Sequence, residues 1–248
     1  MSTERIPPTI IAPSIPSKDP STSAAFIFVH GLGDDAAGLE SIARQFQAAG
    51  KLPYMSWVLP NALHNHELVS TAWYMPTRLS PFPLSRPELE EDEDREGIES
   101  STDYLVSLID ELVTQGIPEK RLVLGGFSQG HAMALFTGLT SSKYAGRLGG
   151  LVGLSGYLPL AENIPQLRDE AGLLVKTNDD IQVFLARGTR DMLVPKRYLP
   201  LCSNKLLELG FKQEQLTVKE YQGMGHAMGS AELRDLCTWS EKVVPPLE

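Results

Sequence analysis

Two cysteines among 248 residues, Cys202 and Cys237, are too few for a disulfide framework. Both fall in helix-like segments without metal-ligand spacing and fit a reducing compartment. No apolar run approaches the ~18 residues of a membrane span. Residues 1–25 hold Glu4, Arg5 and four prolines before Lys18, so the sustained apolar core of a secretory signal is missing. A cytosolic location is therefore expected, with the nucleus open as well and no more than transient contact with a membrane surface. Basic surface is also scarce. A net charge of −9 and a pI near 5.1, with no basic stripe, argue against a nucleic-acid partner. His64 and His66 have only Glu67 as a nearby carboxylate, so no metal site is expected. What remains is the ordinary make-up of a globular enzyme, 42% hydrophobic and 21% charged, which places disorder at the ends alone.

The length suits one α/β domain over 1–248, with a partly irregular N-terminal segment at 1–23. Thr9-Ile10-Ile11-Ala12 reads as an edge strand, and Ala25-Phe26-Ile27-Phe28-Val29 as a parallel strand covered on both faces. Leu39, Ile42, Ala43, Phe46 and Ala49 recur at helical spacing, so Gly38–Ala49 is expected to be an amphipathic helix ended by Gly50. After a brief strand at Trp57-Val58-Leu59, prolines at 60, 76, 81, 83 and 87 exclude regular structure over most of 60–87. Trp73, Tyr74, Leu79, Phe82 and Leu84 give that stretch apolar surface to bury, and residues 60–96 read as a lid-like insertion. The acidic run Glu88–Glu96 reads as a solvated approach to a helix that starts near Gly97 and stops by Gly116 and Pro118. Further strand-like runs at 121–125, 151–154, 182–186 and 216–218 alternate with helical material. This predicts a doubly wound, mostly parallel sheet with helices on both faces.

The chemistry sits at Gly126-Phe127-Ser128-Gln129-Gly130, between the run Arg121–Gly125 and the helix-like run from His131. A G-x-S-x-G sequence between strand and helix puts a serine at a sharp turn, exposed to a base. Serine is a weak nucleophile unless such a base takes its proton. His226, the one histidine beyond residue 131, lies in the glycine-flanked loop Gln222–Met228 and is the expected base. Asp191, after the strand 182–186, is the expected orienting acid. Asp179 and Asp180 precede that strand and so lie at the wrong end of the sheet. The competing role for Asp191 is a cap on the helix near Pro195. For the oxyanion, the expected donors are the N–H of Gln129 and the N–H of Leu32, in His30-Gly31-Leu32-Gly33-Asp34. His30 reads as structural. His131, in the first helical turn, reads as a residue of the pocket.

These segments together resemble the acyl-protein thioesterase and carboxylesterase family of α/β-hydrolases. The resemblance is carried by Phe28–Asp34, Gly116-Ile117-Pro118, Leu124–Gly130, Leu154–Leu160, Asp191–Pro195 and Gly225-His226. It implies an α/β-hydrolase fold and cofactor-free cleavage of acyl thioesters on S-palmitoylated proteins. Soluble esters and lysophospholipids are the alternative substrates. It also implies an apolar acyl channel near the lid, for which Trp73, Leu79, Phe82, Leu158 and Met192 are the candidate walls, and a monomer or weak homodimer. A silent hydrolase-fold binding protein usually lacks a triad member, and none is missing here. Three positions depart from the family pattern. Arg187-Gly188-Thr189-Arg190 replaces the usual His-Gly before the acid, Trp73-Tyr74-Met75-Pro76 stands where Trp-Phe/Tyr-Asp is common, and His131 stands where a small residue is usual.

Overall fold

The computed structural model describes residues 5–82, 92–173 and 181–247. Leu84, residues 88–91 of the acidic run, Asp179 and Asp180 lie outside them. Strand β2 (Ala24–Val29) is apolar and buried along its whole length. Its side chains alternate between two cores, Ala25, Ile27 and Val29 into one and Ala24, Phe26 and Phe28 into the other. β6 (Leu122–Phe127) and β8 (Gln182–Gly188) divide in the same way. Leu122, Leu124, Val183 and Leu185 enter the first core; Val123, Phe184 and Ala186 enter the second. With β3 (Met55–Leu59), β7 (Gly150–Leu154) and β9 (Leu216–Tyr221), they form a parallel sheet ordered β3-β2-β6-β7-β8-β9. The short β1 (Thr9–Ile11) adds to β3 antiparallel, as an edge.

Helices α1 (Ala36–Ala48) and α6 (Ser230–Val243) cover the second core, through Leu39, Phe46, Leu236 and Trp239. The first is covered by α2 (Arg95–Thr114), α3 (Gln129–Thr140), α4 (Ile164–Glu170) and α5 (Tyr198–Glu208). This is the doubly wound α/β-hydrolase architecture. Trp57 stacks between Phe26 (4.9 Å) and Phe46 (5.4 Å) and ties β2 and β3 to α1. The neighbouring strand makes room for this packing with Gly125, where a Cβ would lie 2.8 Å from the Phe26 ring and 2.7 Å from Val152. Because β3 lies on one side of β2 and β6 on the other, the winding reverses between β2 and β6. Ligands in such sheets bind beyond the carboxyl ends of strands at that reversal, which here means His30 and Ser128.

Two expectations need correction. Both early helices begin about two residues sooner, because Asp35 and Asp94 accept hydrogen bonds from the N–H of Gly38 (3.2 Å) and Gly97 (2.9 Å) and cap them. The 60–87 stretch also contains a hairpin, β4 (Leu63–Asn65) and β5 (Ser70–Ala72). No proline stands between 60 and 76, so that part of the loop is free to pair.

Glu232, in the first turn of α6, is fully buried, and among the described residues no side chain hydrogen-bonds its carboxyl group, so burial outweighs the one backbone contact, from Gly229. Burial pushes this carboxyl up to about 7. The unfolded chain ionises it near 4.5, so its contribution to stability is complete below that pH and is lost as pH rises to 7. The loss amounts to about 3 kcal/mol. Glu232→Gln keeps the shape without the charge. Its stability relative to wild type, from urea midpoints, is expected to rise by that order between pH 4.5 and 7, and a pH-independent difference would contradict a buried titrating carboxyl.

Candidate active site

Ser128 joins β6 to α3 with φ 55° and ψ −117°, a strained backbone for a residue bearing a Cβ. Its N–H donates to the Leu154 carbonyl (2.8 Å), which fixes the turn against the next strand. The turn is tight enough that a Cβ on Gly126 would lie 2.3 Å from the Gly130 carbonyl group. Ser128 Oγ is thereby carried to 2.9 Å from His226 Nε2. His226 Nδ1 lies 2.8 Å from Asp191 Oδ2. Because a carboxylate only accepts, that contact assigns the ring proton to Nδ1 and leaves Nε2 free to take the serine proton.

Asp191 Oδ1 is also fully used, accepting from the N–H of Leu193 and of Val194, each at 2.9 Å. Burial alone would raise this carboxyl, but the bonds from His226 and the two amides outweigh it and hold the group below its ordinary value. The structure thus gives Asp191 its contact with the imidazole, and the two amides it caps are those of its own turn. The loops after β8 and β9 are stitched together. Thr189 N–H donates to the Tyr221 carbonyl (3.0 Å), Arg190 N–H to the Met224 carbonyl (2.9 Å), and Gly223 N–H to Thr189 Oγ1 (2.9 Å). Gly188 permits that approach, since a Cβ there would sit 2.0 Å from the Met224 oxygen. The departure at Arg187 gains a physical role. Its buried guanidinium donates to the carbonyls of Gly188 (3.0 Å) and Asp191 (3.4 Å) and braces the acid turn from inside.

The His30–Asp34 loop lies against Ser128, so that a Cβ on Gly31 would be 3.2 Å from Ser128 Cβ. Buried His30 holds this loop. Its Nε2 accepts from Ala62 N–H (3.1 Å), so its Nδ1 donates to the Gly31 carbonyl (2.7 Å). Gly33 N–H donates to the Thr71 carbonyl (2.9 Å) and Asp34 N–H to the Gly31 carbonyl (3.3 Å), so the β4–β5 hairpin buttresses the same loop. The Gln129 side chain has a function that sequence reasoning missed. Its Oε1 accepts from Trp73 N–H (2.8 Å), and its Nε2 donates to the Tyr74 carbonyl (2.8 Å). The first residue of α3 thereby fastens the insertion over the site, and a polar residue following a nucleophile was the available signal.

A cavity of about 470 Å³ opens at Ser128 and His226, walled by Leu32, Tyr74, Pro76, Leu79, Phe127, Tyr157, Leu193 and Val194. Of the expected wall residues, Leu79 lines it. Trp73 and Leu158 belong to the buried core instead. The Trp73 indole N–H is turned inward to donate to the His30 carbonyl (2.9 Å). Phe82 and Met192 are 74% and 88% exposed and do not line this cavity. His131 is not in the pocket either. It is 1% exposed, and its ring fills the space left by Gly153, where a Cβ would approach it to 2.6 Å. Burial pushes this imidazole down to about 3, so it is neutral, with no hydrogen-bond partner for either nitrogen among the described residues. It is a wedge beneath the turn of Ser128.

Comparison with known proteins shows the family and the fold. The chain is 36% identical to acyl-protein thioesterase 1 of Emericella nidulans over 228 residues, covering 90% of this chain and 91% of that one. It is also 36% identical to acyl-protein thioesterase 1 of Yarrowia lipolytica over 237 residues, covering 95% and 98%. Among solved structures, acyl-protein thioesterase 2 of Zea mays superposes with a TM-score of 0.77 at 24% identity, over 96% of this chain and 98% of that one, which shows a shared fold. The phospholipase/carboxylesterase family model matches residues 11–244, so this serine-centred α/β-hydrolase chain belongs to that family.

Proposed function

We propose that the protein hydrolyses acyl thioesters on S-acylated, above all S-palmitoylated, protein cysteines through a Ser128 acyl-enzyme. The observation that carries this is the continuous Ser128–His226–Asp191 hydrogen-bond chain at the mouth of a mainly apolar cavity. His226 Nε2 takes the Ser128 proton as Oγ attacks the acyl carbonyl carbon. The resulting oxyanion is held by the N–H groups of Leu32 and Gln129, which none of the loop's bonds described above consumes. The carbonyl reforms as the C–S bond breaks, and His226 returns the proton to the departing thiolate. Water then enters, and His226 accepts one of its protons as the water oxygen attacks the acyl carbon; the bond from that carbon to Oγ breaks, the fatty acid leaves, and His226 returns the proton to Ser128 Oγ. Asp191 keeps its negative charge throughout, orienting the imidazole and stabilising its protonated form.

The names of the fungal relatives support a protein-borne thioester. A carboxylesterase acting on small soluble esters would use the same groups, as the family description allows. The two readings separate in a comparison of kcat/KM on a palmitoylated peptide and on 4-nitrophenyl acetate. The peptide is expected to be preferred by at least about 10-fold, roughly the discrimination that apolar contact with a long chain supplies. A peptide that is not turned over would leave the small-ester reading. The two cysteines, both free and buried, and the acidic surface support a cytosolic site of action, and we propose a monomer or weak dimer as the working species.

A further inference from the structure

The turn that carries Asp191 continues through Leu193 and Val194, which line the cavity, to Arg197 just before α5. Arg197 Nε–H donates to the Ser80 carbonyl (2.8 Å), and Nη2 donates to Tyr198 Oη (3.2 Å). The guanidinium also lies over the Tyr198 ring, 4.8 Å from its centroid. That ring meets Tyr157 edge-on at 5.8 Å, and Tyr157 Oη is 2.9 Å from Tyr74 Oη. Ser80 directly follows Leu79, which lines the cavity, in a segment, 76–82, that has neither helix nor strand. Upstream, this segment is tied down where Met75 N–H donates to Asp94 (2.7 Å), and downstream by Arg197. Loop backbone without ladder bonds keeps its place only through such ties. A planar guanidinium suits the task, since it bonds a carbonyl on one side while stacking on a ring.

We propose that Arg197 is a specificity-determining residue. By holding the Ser80 carbonyl it fixes Leu79 as a wall of the acyl channel, and through that wall it sets the preference for long acyl groups. This rests on the acyl-enzyme reading of the cavity. Arg197 does not line the cavity, so it acts through Leu79 as a positioning residue. An acetyl group ends beside Ser128 and needs no wall, whereas an octanoyl group must lie along one.

The test is a series of 4-nitrophenyl esters from acetyl to dodecanoyl, with active sites counted by a fluorophosphonate probe. For Arg197→Ala, kcat/KM on the acetyl ester is expected to stay within about 2-fold, while the octanoyl ester loses about 10-fold, carried by KM. Arg197→Lys, which keeps a cationic donor but not the planar guanidinium, should fall between wild type and Arg197→Ala. Leu79→Ala should lose octanoyl turnover at least as strongly as Arg197→Ala, and the double variant should be no worse than the worse single one. A uniform loss at every chain length, an unchanged octanoyl value, or full additivity with Leu79→Ala would each overturn the proposal. If Arg197→Ala does not fold, Arg197→Lys and Leu79→Ala deliver the same length-dependent readout. A wild-type protein that neither takes the probe nor cleaves the acetyl ester would overturn the hydrolase reading itself, a result distinct from all of these.

Discussion

Ser128→Ala is expected to lower kcat by at least about 10⁴-fold, with KM changed by less than a few fold and the urea midpoint held or raised. On the acyl-enzyme reading proposed above, Ser128, His226 and Asp191, linked at 2.9 and 2.8 Å, act as one unit, so removing Oγ removes the whole covalent path. Residual turnover would come from binding and the oxyanion donors alone. Stability should not suffer, because alanine keeps the same Cβ and backbone, with φ at 55°, and loses only a hydroxyl that faces the cavity and His226. Steady-state kinetics on a 4-nitrophenyl ester and a urea titration check both halves. A variant retaining a tenth of the wild-type rate would remove Ser128 from the chemistry.

Gly130→Ala should also damage activity, though less, and be far worse for the fold. The second residue of α3 passes so close to β2 that a Cβ would lie 2.0 Å from the Val29 carbonyl oxygen and 2.7 Å from that of His30. The neighbours in the way are backbone and cannot swing aside. The helix must retreat, and with it the Ser128 turn and the Gln129 bonds that fasten Trp73 and Tyr74. We expect a loss of at least about 3 kcal/mol by urea denaturation, or failure to accumulate folded protein, together with at least 100-fold lower kcat/KM. Gly172→Ala is the control. It too substitutes a glycine, at φ +68°, but nothing lies within 4 Å of its added Cβ, so it should cost about 1 kcal/mol and leave activity intact. If Gly130→Ala is as mild as Gly172→Ala, the close approach is not what holds the turn.

Much of this arrangement could be read from the chain because its determinants are local. The apolar run of β2, the glycines about Ser128 and the positions of Asp191 and His226 after successive strands place three side chains at one end of a parallel sheet. The acyl wall could not be read in the same way. An apolar residue in a long loop covers either core or cavity, and which one is settled by partners far away in sequence. Trp73 is claimed by the His30 carbonyl and by Gln129, Leu158 by the core beneath α3, while Phe82 and Met192 project outward. His131 misled for a related reason. Its place in the first turn after Ser128 points to the pocket, but Gly153 and Gly156, more than twenty residues later, leave the space that buries it. The β4–β5 hairpin was obscured by prolines that in fact bracket it.

The most direct measurement is to react the intact protein with a fluorophosphonate and map the adduct by peptide mass. One adduct is predicted, on the peptide containing Ser128. It should be absent in Ser128→Ala and formed at least about 100-fold more slowly in His226→Ala, where no base takes the serine proton. No adduct on the wild type, an adduct on another residue, or labelling that persists in Ser128→Ala would contradict the acyl-enzyme mechanism.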